Sequence, residues 1–296
     1  FRQEKNSLRD SLKQPDTIFF NTVRKILTRD HLRNRPVLPE MLDSLDIHKA
    51  FEFYKDRFAD ASDFTFIFVG SMSADELEPY LRTYLAALPS GGRKESWRDT
   101  GLRLFRGAAE EVVRAGLEEK SIAALLFTGD LTWSREEAFR LKVLEDYLDL
   151  RLREILREDK GGTYGVSAQA SAYRHPRGEY SVGVYFGASP ANSRELVQAT
   201  ISAIAEMKDT LPLEADAAKI REQMLREYER RMRENSYWLD RLRFDLFHEL
   251  PADITEWRPK QIQTITPALI QSLLRTYCNE KNLARIILLP AEKGSE

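Results

Sequence analysis

The chain has 296 residues, 42% of them hydrophobic and 31% charged, with a formal net charge of −2. These values describe a globular protein long enough for two domains, and they give no electrostatic case for binding nucleic acid or an anionic membrane surface. A single cysteine, Cys278, excludes an internal disulfide and a cysteine-based metal cluster, and no apolar run approaches the length of a membrane span.

The opening residues Phe1-Arg2-Gln3-Glu4-Lys5 are neither a signal peptide nor an initiator methionine, so the chain is expected to begin inside something larger. Residues 45 to 58 carry the apolar period of an amphipathic helix, and the aromatic-rich run 64 to 70 that follows is expected to be a buried strand. Val69-Gly70-Ser71 has one glycine where a phosphate cradle needs several, and it reads as an ordinary strand-to-helix turn. Ser73 with Glu76 has the capping-box spacing, opening a helix through Leu77, Leu81, Tyr84 and Leu85 that stops at Leu88-Pro89. Residues 90 to 96 are polar and glycine-rich, the composition of a flexible connector. The domain boundary is placed there, giving residues 1–92 and 93–296.

Strand-like pieces follow at 102–105, 111–114 and 121–129. Ser134 and Glu137 repeat the capping-box spacing, and Leu141, Leu144, Tyr147, Leu148, Leu152 and Ile155 mark one face of a long helix that Gly161-Gly162 ends. A hairpin is expected next, from residues 164–173 through the turn at 175–178 to the alternating strand Tyr180, Val182, Val184 and Phe186. A helix starts near Ser189-Pro190, and a charged helical region runs over 213–247 with Tyr237, Trp238, Leu242, Leu246 and Phe247 as its inner face. A helix at 265–277 and an apolar strand at 283–289 echo the order of 45–70 about 220 residues later. The expected class is α+β, with an antiparallel sheet covered by helices, in two related domains of which the first is present only as its tail.

Catalytic signatures are mostly missing. The histidines His31, His48, His175 and His248 are too far apart for His-Glu-x-x-His or its inversion, and His248-Glu249 is only the first half of such a pattern. There is no Gly-x-Ser-x-Gly elbow, and Cys278 has no histidine near it in sequence. The charged run 219–233 reads as a solvated helix face. What remains is Arg157 and Tyr164, a cationic fork and a phenol at the junction of the long helix and the hairpin. From chemistry alone, Arg157 reads as a cation favoured by the helix dipole, and Tyr164 as a strand-opening aromatic.

The stretch 133–165, ending Leu156-Arg157-Glu158-Asp159-Lys160-Gly161-Gly162-Thr163-Tyr164-Gly165, resembles the C-terminal half of the pitrilysin/insulinase family of zinc metallopeptidases. Leu45-Asp46, Phe53-Tyr54, residues 64–70 and Tyr84-Leu85-Ala86-Ala87-Leu88-Pro89 carry the same likeness, which covers residues 40–290 in order. The resemblance implies a protease of two halves that close like a clamshell, each made of two similar αβ domains, with zinc and its inverted motif in the N-terminal half. Arg157 would then hold a substrate backbone carbonyl, and Tyr164 would hydrogen-bond the scissile carbonyl as it becomes an oxyanion. This chain would carry no cofactor of its own and would be inactive alone. Its partners would be the zinc-bearing N-terminal half or subunit and a peptide or unfolded protein, with the periplasm as the favoured compartment. A non-catalytic partner subunit or a peptide-binding scaffold that kept the fold is the alternative.

Overall fold

The computed structural model describes residues 2–159, 163–251 and 256–292, with the side chains of 157–159 and 164 also outside the described set. Its helices are α1 Arg2–Ser11, α2 Pro15–Leu27, α3 Ile47–Phe58, α4 Ala74–Tyr80, α5 Arg135–Arg153, α6 Ser193–Asp209, α7 Glu214–Arg231, α8 Asn235–Phe247, α9 Trp257–Gln263 and α10 Pro267–Tyr277. Its strands are β1 Ala109–Arg114, β2 Ser121–Asp130, β3 Thr163–Tyr173, β4 Glu179–Ala188 and β5 Leu283–Leu289. The chain divides into two compact units, one of residues 1–39, 99–222 and 261–296 and the other of residues 40–98 and 223–260.

The first unit holds the sheet, in the order β1-β5-β2-β4-β3. Its pairs are antiparallel except β1 with β5, which run parallel. β2 lies at the centre and Ala123 to Phe127 are buried on both faces, which explains why that run is continuously apolar rather than alternating. On one face, Phe19 and Val23 of α2 pack on Val113, Ala124, Leu126, Ala284, Ile286 and Leu288. On the other, α5 lies against β3, α6 and α10 against β2, and α10 touches both α5 and α6. Leu144, Leu148, Leu152, Ile204, Ile270 and Leu274 are essentially fully buried there. Each such side chain contributes about 1.5–3 kcal/mol relative to staying in water.

The piece expected as a strand at 102–105 is not one. Leu104 and Phe105 are buried, but their backbone is satisfied by other partners: Phe105 N–H donates to Leu27 O (3.0 Å), Leu104 N–H to Glu179 Oε2 (3.1 Å), and Phe105 O accepts from Thr128 Oγ1 (2.6 Å). Buried backbone groups need partners but not necessarily a ladder. The helix expected near Ser189-Pro190 begins at Ser193, after a turn.

In the second unit, Ser73 and Glu76 form the complete reciprocal capping box at the start of α4. The expected buried strand at 64–70 is corrected: among the described residues it pairs with no strand, and Phe64, Phe66 and Phe68 are exposed. A run of strand-forming residues becomes a strand only when a neighbour accepts and donates its hydrogen bonds. The connector at 90–96 is tied down. Asp60 accepts N–H bonds from Gly91 and Arg93 (3.0 Å each), Ser62 Oγ accepts from Gly92 (2.8 Å), and Asp63 accepts from Glu95 (2.9 Å). The charged helical region is two helices, α7 and α8, and its inner face differs from expectation. Tyr237 is buried, but Leu246 and Phe247 are exposed, while the ion pair Arg241–Asp245 (2.8 Å) is buried.

Candidate functional site at the α5–β3 junction

Ser134 Oγ accepts the N–H of Glu137 (3.0 Å) and so starts α5. The reciprocal half of the expected capping box does not form, because the Glu137 carboxylate is engaged by the Tyr277 hydroxyl and by Arg140. The buried face of α5 is the one its apolar period marks, from Phe139 to Leu152.

After Arg153 the helix widens into π-helical turns over Glu154–Asp159, and Arg157 lies in them. π-Turns inside helices are rare and recur at functional sites. Gly161 and Gly162, the expected helix stop, lie outside the described residues. β3 then opens at Thr163, and its register against β4 slips between Thr163 and Gly165, which makes Tyr164 the extra residue of a bulge. Thr163 Oγ1 pins that bulge: it accepts the N–H of Gly165 (3.1 Å) and lies 2.8 Å from Gly187 O. Bulges re-aim side chains and are common beside active sites. The structure therefore places the backbone of Arg157 and of Tyr164 at two irregular points of one helix-to-strand junction, while their side chains lie outside the described residues.

β3 is an edge strand of the sheet. Two of its N–H groups are nonetheless taken: Ala168 donates to Asp149 Oδ1 (2.5 Å) and Ala170 to Glu145 Oε2 (2.8 Å), both carboxylates coming from α5. Sequence reasoning missed this pair. Its only signal is two acids four residues apart on α5, which looks the same as a solvated helix face.

A cleft of about 580 Å³ opens between α5, α6 and the start of α7, lined by Tyr147, Arg151, Ile155, Met207 and Asp216 among others. Burial first, and then the nearby acids against the opposing Arg151, push the Tyr147 phenol up to about 12, so it is a neutral donor at pH 7. Arg151 is balanced by Glu154 (2.5 Å) and Asp216 (3.8 Å).

His31 spans Thr100 O (3.0 Å) and the Arg33 N–H (3.3 Å), and His248 lies tilted against Phe244 and edge-on to Phe247. Among the described residues no three His, Cys, Asp or Glu side chains converge as metal ligands, so the donors described do not form a zinc site.

Comparison with known proteins places the fold in a family. Residues 44–224 match the peptidase M16 inactive domain. A zinc protease PQQL-like protein of Arabidopsis thaliana is 27% identical over 254 residues, covering 80% of this chain and 26% of that protein. The periplasmic protease PqqL from Escherichia coli superposes with a TM-score of 0.81 at 17% identity, over 98% of this chain and 32% of that one. The first half of the same protease also matches, with a TM-score of 0.74 at 14% identity over 97% of this chain and 65% of that half, so the fold alone does not distinguish halves. The ferredoxin protease FusC, solved in complex with Arabidopsis ferredoxin, gives a TM-score of 0.78 at 17% identity, over 98% of this chain and 32% of that one. This chain spans about a quarter to a third of those full-length proteases. With more than half its residues matched by that domain, the chain belongs to the peptidase M16 family as an inactive domain of zinc protease-like proteins.

Proposed function

We propose that this chain is the non-zinc-binding, C-terminal half of a zinc metallopeptidase, closing over a zinc-bearing N-terminal half and supplying two groups to a peptide substrate. Arg157 holds a substrate backbone carbonyl with its guanidinium fork, and the Tyr164 hydroxyl donates a hydrogen bond to the scissile carbonyl oxygen as negative charge develops there. The observation that supports this most is the placement of Arg157 in a π-turn and of Tyr164 in a pinned bulge at one helix-to-strand junction. Zinc belongs, in this reading, to the other half, because this chain offers no ligand set among its described residues. Placing the second donor on a separate half makes the reaction depend on closure, which excludes water and commits an extended peptide.

The test is Tyr164→Phe in the assembled enzyme. Loss of one oxyanion donor is expected to lower kcat by about 10²–10³-fold with little change in KM or in bound zinc. An unchanged kcat removes the transition-state role and leaves a peptide-binding scaffold.

A further inference from the structure

The two carboxylates of α5 that reach the edge of β3 stand at matched intervals. Asp149 and Glu145 are four residues apart on a helix, an axial step of about 6 Å. Their targets, Ala168 and Ala170, are two residues apart on a strand, a step of about 6.8 Å. One turn of α5 is thus in register with one repeat of β3, and each carboxylate meets an N–H that points away from β4. The match stops at both ends of that turn: four residues further along α5 stands Arg153, and four residues back stands Leu141, neither of which offers a carboxylate. Glu145 is itself held in place, its other oxygen bound by Lys142 (2.5 Å), which also binds Asp146 (2.7 Å).

Carboxylates on edge amides have a general use, which is to keep an exposed strand from pairing with another chain. Here they do more than cover an edge, because they join the two elements whose adjacent ends carry Arg157 and Tyr164. Sliding of β3 along α5 is resisted by the Asp149 and Glu145 bonds, which tie the strand directly to the helix.

We propose that Asp149 and Glu145 are positioning residues, which fix the register of β3 against α5 and so set where Tyr164 stands relative to Arg157. The proposal rests on the catalytic reading of Tyr164 given above. Neither carboxylate is assigned contact with substrate.

The test uses the assembled zinc enzyme with Asp149→Ala, Asp149→Asn, Tyr164→Phe and the double variant Asp149→Ala/Tyr164→Phe. Asp149→Ala is expected to speed hydrogen exchange at the Ala168 amide and to lower kcat about tenfold or more, with KM within about twofold and zinc retained, because small misplacements at a reacting centre are costly. Asp149→Asn keeps an acceptor oxygen and recovers most of that loss. In the Tyr164→Phe background Asp149→Ala produces no further fall in kcat, since the group it positions is gone. Additive losses, or an unchanged kcat in Asp149→Ala despite faster exchange at Ala168, overturn the positioning role. Unchanged exchange at Ala168 overturns the clamp itself. If Tyr164→Phe alone leaves kcat unchanged, the catalytic reading fails, and the exchange measurement still reports separately on the clamp.

Discussion

Gly129→Ala sets two effects of opposite sign against each other. Gly129 lies in β2 directly opposite Tyr180 of β4. A Cβ added there stands 2.3 Å from a Tyr180 ring carbon and 2.6 Å from its hydroxyl. Ordinary carbon contacts begin near 3.5 Å, so the ring must withdraw by roughly 1.2 Å. It has little room to do so: Tyr180 is 4% exposed and packs edge-on against Tyr277 at 4.7 Å, and Tyr277 is tied to Glu137. Overpacking of this kind costs about 1–3 kcal/mol, whereas stiffening the unfolded chain by replacing glycine gains only about 0.4–1 kcal/mol. The clash wins, and the variant is expected to be less stable by about 1–2 kcal/mol in urea unfolding followed by tyrosine near-ultraviolet signal. Gly165→Ala is the control, because its Cβ meets nothing within 4 Å and its φ is not positive; it is expected to be neutral or up to about 1 kcal/mol more stable. Adding Tyr180→Leu to Gly129→Ala should cost less than the sum of the two single changes. A Gly129→Ala chain as stable as the parent, with its m-value unchanged, refutes the claim that Tyr180 is held.

Two further predictions concern groups whose protonation the fold controls. The Asp60 carboxyl is held near 2, first by the Ser62 hydroxyl and then by backbone N–H groups of Ser62, Arg93 and Gly91, against an ordinary value of 3.8. A depressed folded value means that its stabilisation is present above about pH 4 and is lost as pH falls towards 2; the Gly91 and Arg93 amide resonances should titrate with a midpoint near 2, and a midpoint near 3.8 would show that the connector is not tied as described. Cys278 is fully buried, and burial pushes its thiol up to about 12, so the folded chain at pH 8 should resist Ellman's reagent while the chain in denaturant reacts at one thiol; prompt labelling of the folded protein contradicts that burial.

Much of the first unit was legible because local signals and burial agree there. The capping serine and the 3.6-residue period of α5 place its start and its buried face, and the alternation of Tyr180, Val182, Val184 and Phe186 places β4. Arg157 and Tyr164 were picked out as a helix-to-strand junction, but neither the π-turn nor the bulge is encoded in a recognisable residue pattern. The roles of Asp149 and Glu145 were hidden for a related reason. Acidic residues on a polar helix face have the same signature whether they meet water or a strand edge, and only the approach of β3 distinguishes the two. The inner face expected for α8 holds at Tyr237 but not at Leu246 and Phe247, because apolar type alone does not decide burial: those two are out, while Arg241 and Asp245, paired through Nε and Oδ2, are in.

The helix-then-strand echo separates what each level decided. Both copies were legible in sequence, as the amphipathic helices α3 and α10 followed by apolar runs at 64–70 and 283–289. Only the tertiary structure decided their fates. The later run became β5, lying between β1 and β2 with its backbone paired on both sides, while the earlier run, with no strand beside it among the described residues, forms no regular element and leaves its phenylalanines exposed. Side-chain period is a property of the chain itself, but a strand's hydrogen bonds belong to its neighbours, so sequence specifies the first and tertiary contact the second.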